Sequence, residues 1–191
     1  MRHGTHRHVD LLRMIRGSSS HWEILSAIGS LGLQDCWAAA GFVRSLVWDV
    51  LHERSPALPL DIDVVYFDAS IMSPSVDEEL SLQLRTLTGY EGMSVKNQAR
   101  MAKRNAHRPY RSSADAMSFW PEVCTAIGVS ATDRGAGLIV CAPFGTDDLL
   151  SMKVNPTSTD EVTLRLARER VKNKRWKNIW PMIHVATELC E

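Results

Sequence analysis

Apolar residues at Phe42, Val43, Leu46, Val47, Val50 and Leu51 recur every three or four positions, which predicts a helix over 42–53. Just ahead of it, 36–40 is a run of small and apolar residues suited to a buried strand. A turn-rich connector, Ser55-Pro56 to Pro59, leads into DIDVVYFD at 61–68, predicted as a strand over 61–67. Ser75-x-x-Glu78 has the form of a capping box and opens a predicted helix running to Thr88, with Gly89 and Gly92 ending it. Residues 93–97 predict another strand, running into QARM. Ser112-x-x-Asp115 announces a helix over 113–126, and 137–143 reads as a strand. Thr146 is placed to cap a short helix whose first turn holds Asp147 and Asp148. A final helix is predicted over 161–177, behind Ser158-x-x-Glu161. Two amphipathic helices, 5–16 and 20–31, precede all of this. Their apolar residues Leu11, Leu12, Ile15, Trp22, Leu25 and Ile28 are expected in the core. Strands and helices alternate loosely, so the expected class is α/β (α+β), a mixed sheet flanked by helices, rather than a bundle.

Composition narrows this only slightly. At 191 residues with 45% hydrophobic content, the chain is expected to form a single domain over 1–191, with 1–18 as a mobile or appended N-terminal segment. The formal net charge is zero, so no global charge points to nucleic acid or to a membrane surface. No apolar stretch is long enough to span a bilayer, and the first ten residues lack the apolar run of a signal peptide. A cytoplasmic location is expected. Cys36, Cys124, Cys141 and Cys190 are scattered without metal-ligand spacing, and Cys36 and Cys141 read as small hydrophobes in strands. His3, His6 and His8 are expected in a disordered tail.

Candidate chemistry centres on Asp61 and Asp63. Residues i and i+2 of a strand share a face, so the two carboxylates converge where the strand begins. Like charges this close repel unless a cation lies between them. A hard cation such as Mg²⁺ takes one or two carboxylates plus substrate phosphates, whereas the bland alternative is a turn with solvated acids. Upstream, Gly41 opens the predicted helix 42–53, and helix N-termini present free amides and positive dipole to phosphate. Arg44, in the first turn, suits either a phosphate clamp or an ion pair with Asp49.

The runs Gly41–Asp49, Asp61–Asp68, Val95–Met101, Pro109–Glu122 and Ala142–Leu149, with Lys174-Arg175-Trp176 and Trp180-Pro181, resemble a bacterial nucleotidyltransferase-like family within the DNA polymerase β superfamily. The likeness covers roughly 20–185, most of the chain. It implies the polymerase-β-type nucleotidyltransferase fold and transfer of an NMP group from a nucleoside triphosphate to an acceptor hydroxyl. By the same likeness Asp61 and Asp63 hold Mg²⁺ or Mn²⁺, Gly41, Arg44 and Ser45 hold the triphosphate, and Lys96 or Arg100 assists. The acceptor is left open between a small molecule, a protein and RNA. The superfamily has two glycines where this chain has Ala40-Gly41. It also places a third acid on a strand neighbouring the Asp-x-Asp strand. Strand 137–143, expected in that place, has none, and 93–97 offers Lys96 and Asn97 instead. The alternatives are a non-catalytic nucleotide-binding or regulatory module of the same fold and an RNA-binding accessory protein.

Between Lys96 and Arg111 every charged residue is basic, which reads either as a solvated face or as the positive wall of a phosphate site. Tyr110 suits base stacking or a loop anchor. Asp147 and Asp148 fit helix-dipole stabilisation, or one of them substitutes for the third acid. The basic C-terminal helix, with Trp176 and Trp180, is read as a packing helix with a solvated face.

Overall fold

A computed structural model describes residues 3–132 and 137–190, with the side chains of the first helix described from Asp10 onward. The sheet is built first from its centre. Strand β1 (Trp37–Ala39) pairs antiparallel with β2 (Ile62–Tyr66), which pairs in parallel with β3 (Met93–Asn97). On the other side β1 pairs antiparallel with β4 (Gly128–Thr132), and β4 with β5 (Gly137–Cys141), giving the order β3-β2-β1-β4-β5. This is the expected mixed sheet flanked by helices.

The two faces of the sheet differ. Ala38, Ile62, Val64, Tyr66 and Val95 enter the main core beneath α1 (His3–Arg16), α2 (Ser19–Ser30), α3 (Gly41–Leu51) and α4 (Pro74–Thr88). The expected core residues Leu11, Ile15, Leu25 and Ile28 are buried there, which ties α1 to the core. The side chains of His3, His6 and His8 lie outside those described. The opposite face carries a small cluster of Ala39, Val65, Met117 and Cys141, against which Trp37 and Trp120 pack. Alternation in β2 therefore sends Ile62, Val64 and Tyr66 to the core and Asp63 and Val65 to the second face.

Local chemistry sets the boundaries. Helix α4 starts two residues earlier than its capping box suggested: Ser73 caps it by accepting from Ser75 N, and Pro74 takes the first helical position. Gly89, left-handed at φ 67°, ends it. This helix is the crossover that brings β3 beside β2. At Gly92 a Cβ would stand 1.8 Å from Leu60 O, so only glycine lets the chain pass so close to the Asp-x-Asp strand.

Three expectations need correction. The helix predicted over 113–126 is only α6 (Ser113–Met117), followed after Trp120 by Pro121, which has no N–H to continue a helix, and by a single 3-10 turn at Val123–Thr125. Strand β4 was not foreseen, and it separates β5 from β1 and β2. The strand expected beside the acids is thus at the far edge. After α5 (Gln98–Arg104) and α7 (Asp147–Leu150), the final helix divides. Asp160 caps α8 (Glu161–Lys174), and Arg175 turns left-handed at φ 47° before α9 (Trp176–Ile179). Strands β6 (Lys153–Val154) and β7 (His184–Val185) form a small parallel pair of their own.

Candidate active site

The site is assembled where β1 turns into α3. Ala40 holds φ 51°, ψ −114°, a region where a Cβ is strained and glycine is at ease. Its N–H donates to Ile127 O at 2.9 Å, and its carbonyl accepts from Arg44 N at 3.0 Å, which pins the turn from both sides. The first amides of α3 have no side-chain cap, so the helix presents them to the adjoining cavity.

Arg44 rises from the first turn of α3 into a cage of three indoles. Its guanidinium carbon lies 4.6 Å from the ring centre of Trp176, 5.3 Å from Trp180 and 5.5 Å from Trp48. The rings are themselves fixed: Trp180 Nε1 donates to Asp49 Oδ1 at 2.8 Å and Trp48 Nε1 to Leu149 O at 3.1 Å. Arg44 is 8% exposed, donates to Ser45 Oγ at 3.1 Å, and has no hydrogen-bond partner at Nε among the described residues. Burial lowers its pKa to about 10, still far enough above neutrality to keep it charged. Asp49, the possible ion-pair partner, instead accepts from Trp180 and from Ala57 N. A buried cation without a bonded anion is costly, and Arg44 lines the cavity from which an anion could reach it.

Across the same cavity lie Asp61 and Asp63. Asp63 stands mid-sheet, opposite Ala39 on β1 and Ser94 on β3. Both carboxylates line one cavity of about 770 Å³, together with Gly41, Arg44 and Ser45. Asp63 is open to water at its tip but walled by protein around it. That partial dehydration raises its pKa, Asp61 raises it further, and Arg170, Lys174 and Arg44 oppose the rise. The two carboxylates share a face, a cavity and a mutual repulsion, a donor set that fits one hard divalent cation completed by phosphate oxygens. Among the described residues, no group of three His, Cys, Asp or Glu side chains could hold a metal.

The cavity's third wall is one the sequence did not reveal. Helix α8 carries Arg170 and Lys174, one turn apart on one stripe, and both line the cavity. Arg170 is anchored by the fully buried Glu122, which accepts from its Nε at 2.7 Å and from Thr125 Oγ1 at 2.7 Å. The i, i+4 spacing of 170 and 174 was visible in the sequence. Nothing local said that this stripe, rather than another on the same basic helix, turns inward.

The other sequence candidates separate. Lys96, opposite Val65, lines a second cavity of about 260 Å³ that also reaches Asp63 and Arg170. Arg100 does not join the cleft and is corrected here. It pairs with Asp77 on α4, whose carboxylate also accepts from Tyr66 Oη at 2.9 Å and Asn97 N at 3.1 Å, on the core face of the sheet. Arg108 and Arg111 pair with Asp115, so much of the basic run is neutralised locally. Tyr110 is a loop anchor, buried, with its hydroxyl 2.5 Å from His107 Nδ1. Asn97 is fully buried, accepting from Asp68 N and Ala99 N and donating to Asp68 O and Ile71 O. Asp148 accepts from Asn155, and neither it nor Asp147 lines the cavity of the Asp pair. Trp176 and Trp180 do pack, as expected, but they and the basic helix α8 just before them line the cavity.

The sequence matches the family described as Nucleotidyltransferase over residues 26–185, and the chain belongs to that family. A solved structure described as revealing a CCA-adding enzyme head domain is 33% identical, with a TM-score of 0.80, covering 93% of this chain and 95% of the other. Two structures of a tRNA-processing enzyme, one an apo form and one a complex, share the fold at 15% identity and a TM-score of 0.50. They cover 88% and 87% of this chain, which spans 43% and 44% of theirs. No curated protein gives a significant match. Among the described residues no helix is long and apolar enough to cross a membrane.

Proposed function

We propose that the protein transfers a nucleotidyl group from a nucleoside triphosphate to an acceptor hydroxyl in a divalent-metal-dependent reaction. The observation that carries this is the convergence, on one cavity, of the Asp61–Asp63 pair with three cations, Arg44, Arg170 and Lys174, and the uncapped start of α3. Asp61 and Asp63 would hold Mg²⁺ or Mn²⁺, which supplies charge neutralisation and orientation of the phosphates. The amides at Gly41, the Ser45 hydroxyl and the caged Arg44 hold the β- and γ-phosphates. Arg170 and Lys174 face the charge that grows on the leaving group. The acceptor oxygen bonds to the α-phosphorus, the bond to the bridging oxygen breaks, and pyrophosphate departs. The hydroxyl proton leaves to water at the open mouth.

A second reading is favoured by one observation. Beside Asp63, strand β3 offers Ser94 and Lys96 rather than a carboxylate, as suits a nucleotide-binding module without turnover. Thermal shift with ATP, CTP, GTP and UTP, each with and without Mg²⁺ or Mn²⁺, tests the shared premise, because a ligand that binds only the folded state raises the melting temperature. Metal-dependent stabilisation is the expected result. Stabilisation by polyanions alone, indifferent to metal, would sink both readings in favour of RNA binding. Pyrophosphate release with a pool of acceptors then separates enzyme from module.

A further inference from the structure

Helix α8 has two basic flanks, and the nucleotidyl-transfer reading uses only one of them. Arg170 and Lys174 line the cavity of the acids. Arg165, Arg168 and Lys172, spaced i, i+3 and i+7, form a stripe on the opposite flank. There α8, the turn around Arg175, and Val185, Leu189 and Cys190 enclose a separate groove of about 700 Å³. Its lining includes the basic side chains of Arg165, Arg168, Lys172, Arg175 and Lys177 against a single acid, Glu169. Trp176 is the wall common to this groove and the cavity of the acids.

Most of the charge in this groove is unspent. Arg168 is committed to the fold, donating through Nε to Glu188 O at 2.8 Å and lying 3.5 Å from Glu161. Among the described residues Arg165, Lys172, Arg175 and Lys177 enter no ion pair, and all four are exposed. In the run 96–111, by contrast, Arg100, Arg108 and Arg111 are each paired with an acid. The floor of the groove is closed. Trp176 and Leu189 are 2% and 3% exposed, so there is no open apolar seat for the anchoring side chains of a peptide. From Arg165 to Lys172 the stripe runs about 10 Å along the helix, and Arg175 and Lys177 extend it. A lone phosphate would meet one or two of these cations, whereas a chain of regularly spaced phosphates meets them in succession.

Resting on the nucleotidyl-transfer reading, we infer that the acceptor is a nucleic-acid strand whose sugar-phosphate backbone lies along the outer flank of α8, held by Arg165, Lys172, Arg175 and Lys177. Its terminal hydroxyl supplies the oxygen that bonds to the α-phosphorus in the cavity beyond Trp176. The hydroxyl proton goes to water and pyrophosphate departs. The groove's one aromatic lining residue, Trp176, is buried and offers no face to a base, so the groove grips backbone and its capture is indifferent to sequence.

The test follows fluorescence anisotropy of a short labelled RNA against the full chain over a series of salt concentrations. Each phosphate neutralised contributes about 0.7 to the slope of log affinity against log salt for a single strand. The double variant Arg165→Gln, Lys172→Gln should lower that slope by about 1.4 and weaken binding about tenfold at low salt. Its Mg²⁺-dependent ATP binding should match wild type, which also shows that it folds. Lys103→Gln with Arg104→Gln, exposed at the end of α5, should leave RNA binding unchanged. With labelled ATP, wild type should lengthen the RNA, and the groove variant should raise KM for RNA while sparing kcat. An unaltered slope in the groove variant, an equal loss in the α5 variant, or polyglutamate bound as tightly as RNA would each overturn the groove as a nucleic-acid site. RNA that binds through the groove but is never lengthened, in a protein that binds ATP with Mg²⁺, overturns its role as acceptor. Wild type that binds no triphosphate sinks the transfer reading and the acceptor role with it, and the salt slopes still decide whether the groove holds nucleic acid.

Discussion

Arg44, buried, and Arg100, half-buried, are both drawn out of water beside the same sheet, and for opposite reasons. Arg100 is paired with Asp77, whose carboxylate is in turn bonded by Tyr66 Oη and Asn97 N. Its charge is consumed by the fold, fastening α4 and the end of β3 to the start of α5. Arg44 is surrounded by indole faces and lacks a bonded carboxylate. Its charge is held in place but left unspent, and it looks into a cavity. In a buried pair each charge compensates the other, and removing one is costly; a buried cation without a bonded anion has that compensation still to gain from a ligand. The same contrast separates Asp77, embedded in a saturated network, from Asp63, whose neighbours leave it half dehydrated beside a like charge.

Breaking the functional side should have the largest effect. Asp63→Asn is expected to reduce metal-dependent transfer by at least about a hundredfold, the scale on which preorganised charge acts. The folded protein should remain intact. The folded-state pKa of Asp63 stands above its unfolded value, so folding takes up a proton between the two. Its ionisation therefore costs stability as pH rises through that interval, and the variant should lose this dependence in urea titrations. Metal affinity of the wild type should grow over the same rise in pH, as proton and cation compete for the carboxylate.

Arg100→Ala tests the structural side. It leaves Asp77 buried beside a lost cation and should destabilise the fold by about 3–5 kcal/mol in denaturant titration. Nucleotide affinity of the folded fraction should not change. A selective loss of triphosphate binding would return Arg100 to the site. Arg44→Met should do the reverse: triphosphate binding weakens by about 1.5–3 kcal/mol, while stability stays level or rises because an unpaired buried charge is gone. A large fall in stability would mean that Arg44 mainly holds the tryptophans together.

The sequence made β2 and α3 legible because their periodicities are strong and are broken by Pro59 and Gly41. That Asp61 and Asp63 would open on one side was expected from their i, i+2 spacing, and both line one cavity. Arg100 was expected at the site and Arg170 was not, for a physical reason. Each is a basic residue on a helix that pairs with a buried acid far along the chain, Asp77 at 23 positions and Glu122 at 48, and tertiary packing alone decides which of them also lines the cavity. Strand β4 was missed because Gly128, Ser130 and Ala131 have little intrinsic strand preference. The close approach at Gly128, where a Cβ would meet Trp37 Cβ at 2.8 Å, shows tertiary packing holding that strand in place. The split of α8 from α9 rests on one left-handed arginine, which no composition signals.

Trp48, Trp176 and Trp180 surround Arg44, and Trp120 borders the neighbouring cavity, so four of the six indoles in the chain adjoin the cleft. Indole emission follows the electric field across the ring and the freedom of its surroundings to reorient. A polyphosphate arriving at Arg44 would change that field at three rings together, so occupancy of the cleft should be readable in the protein's own tryptophan emission, with no label required.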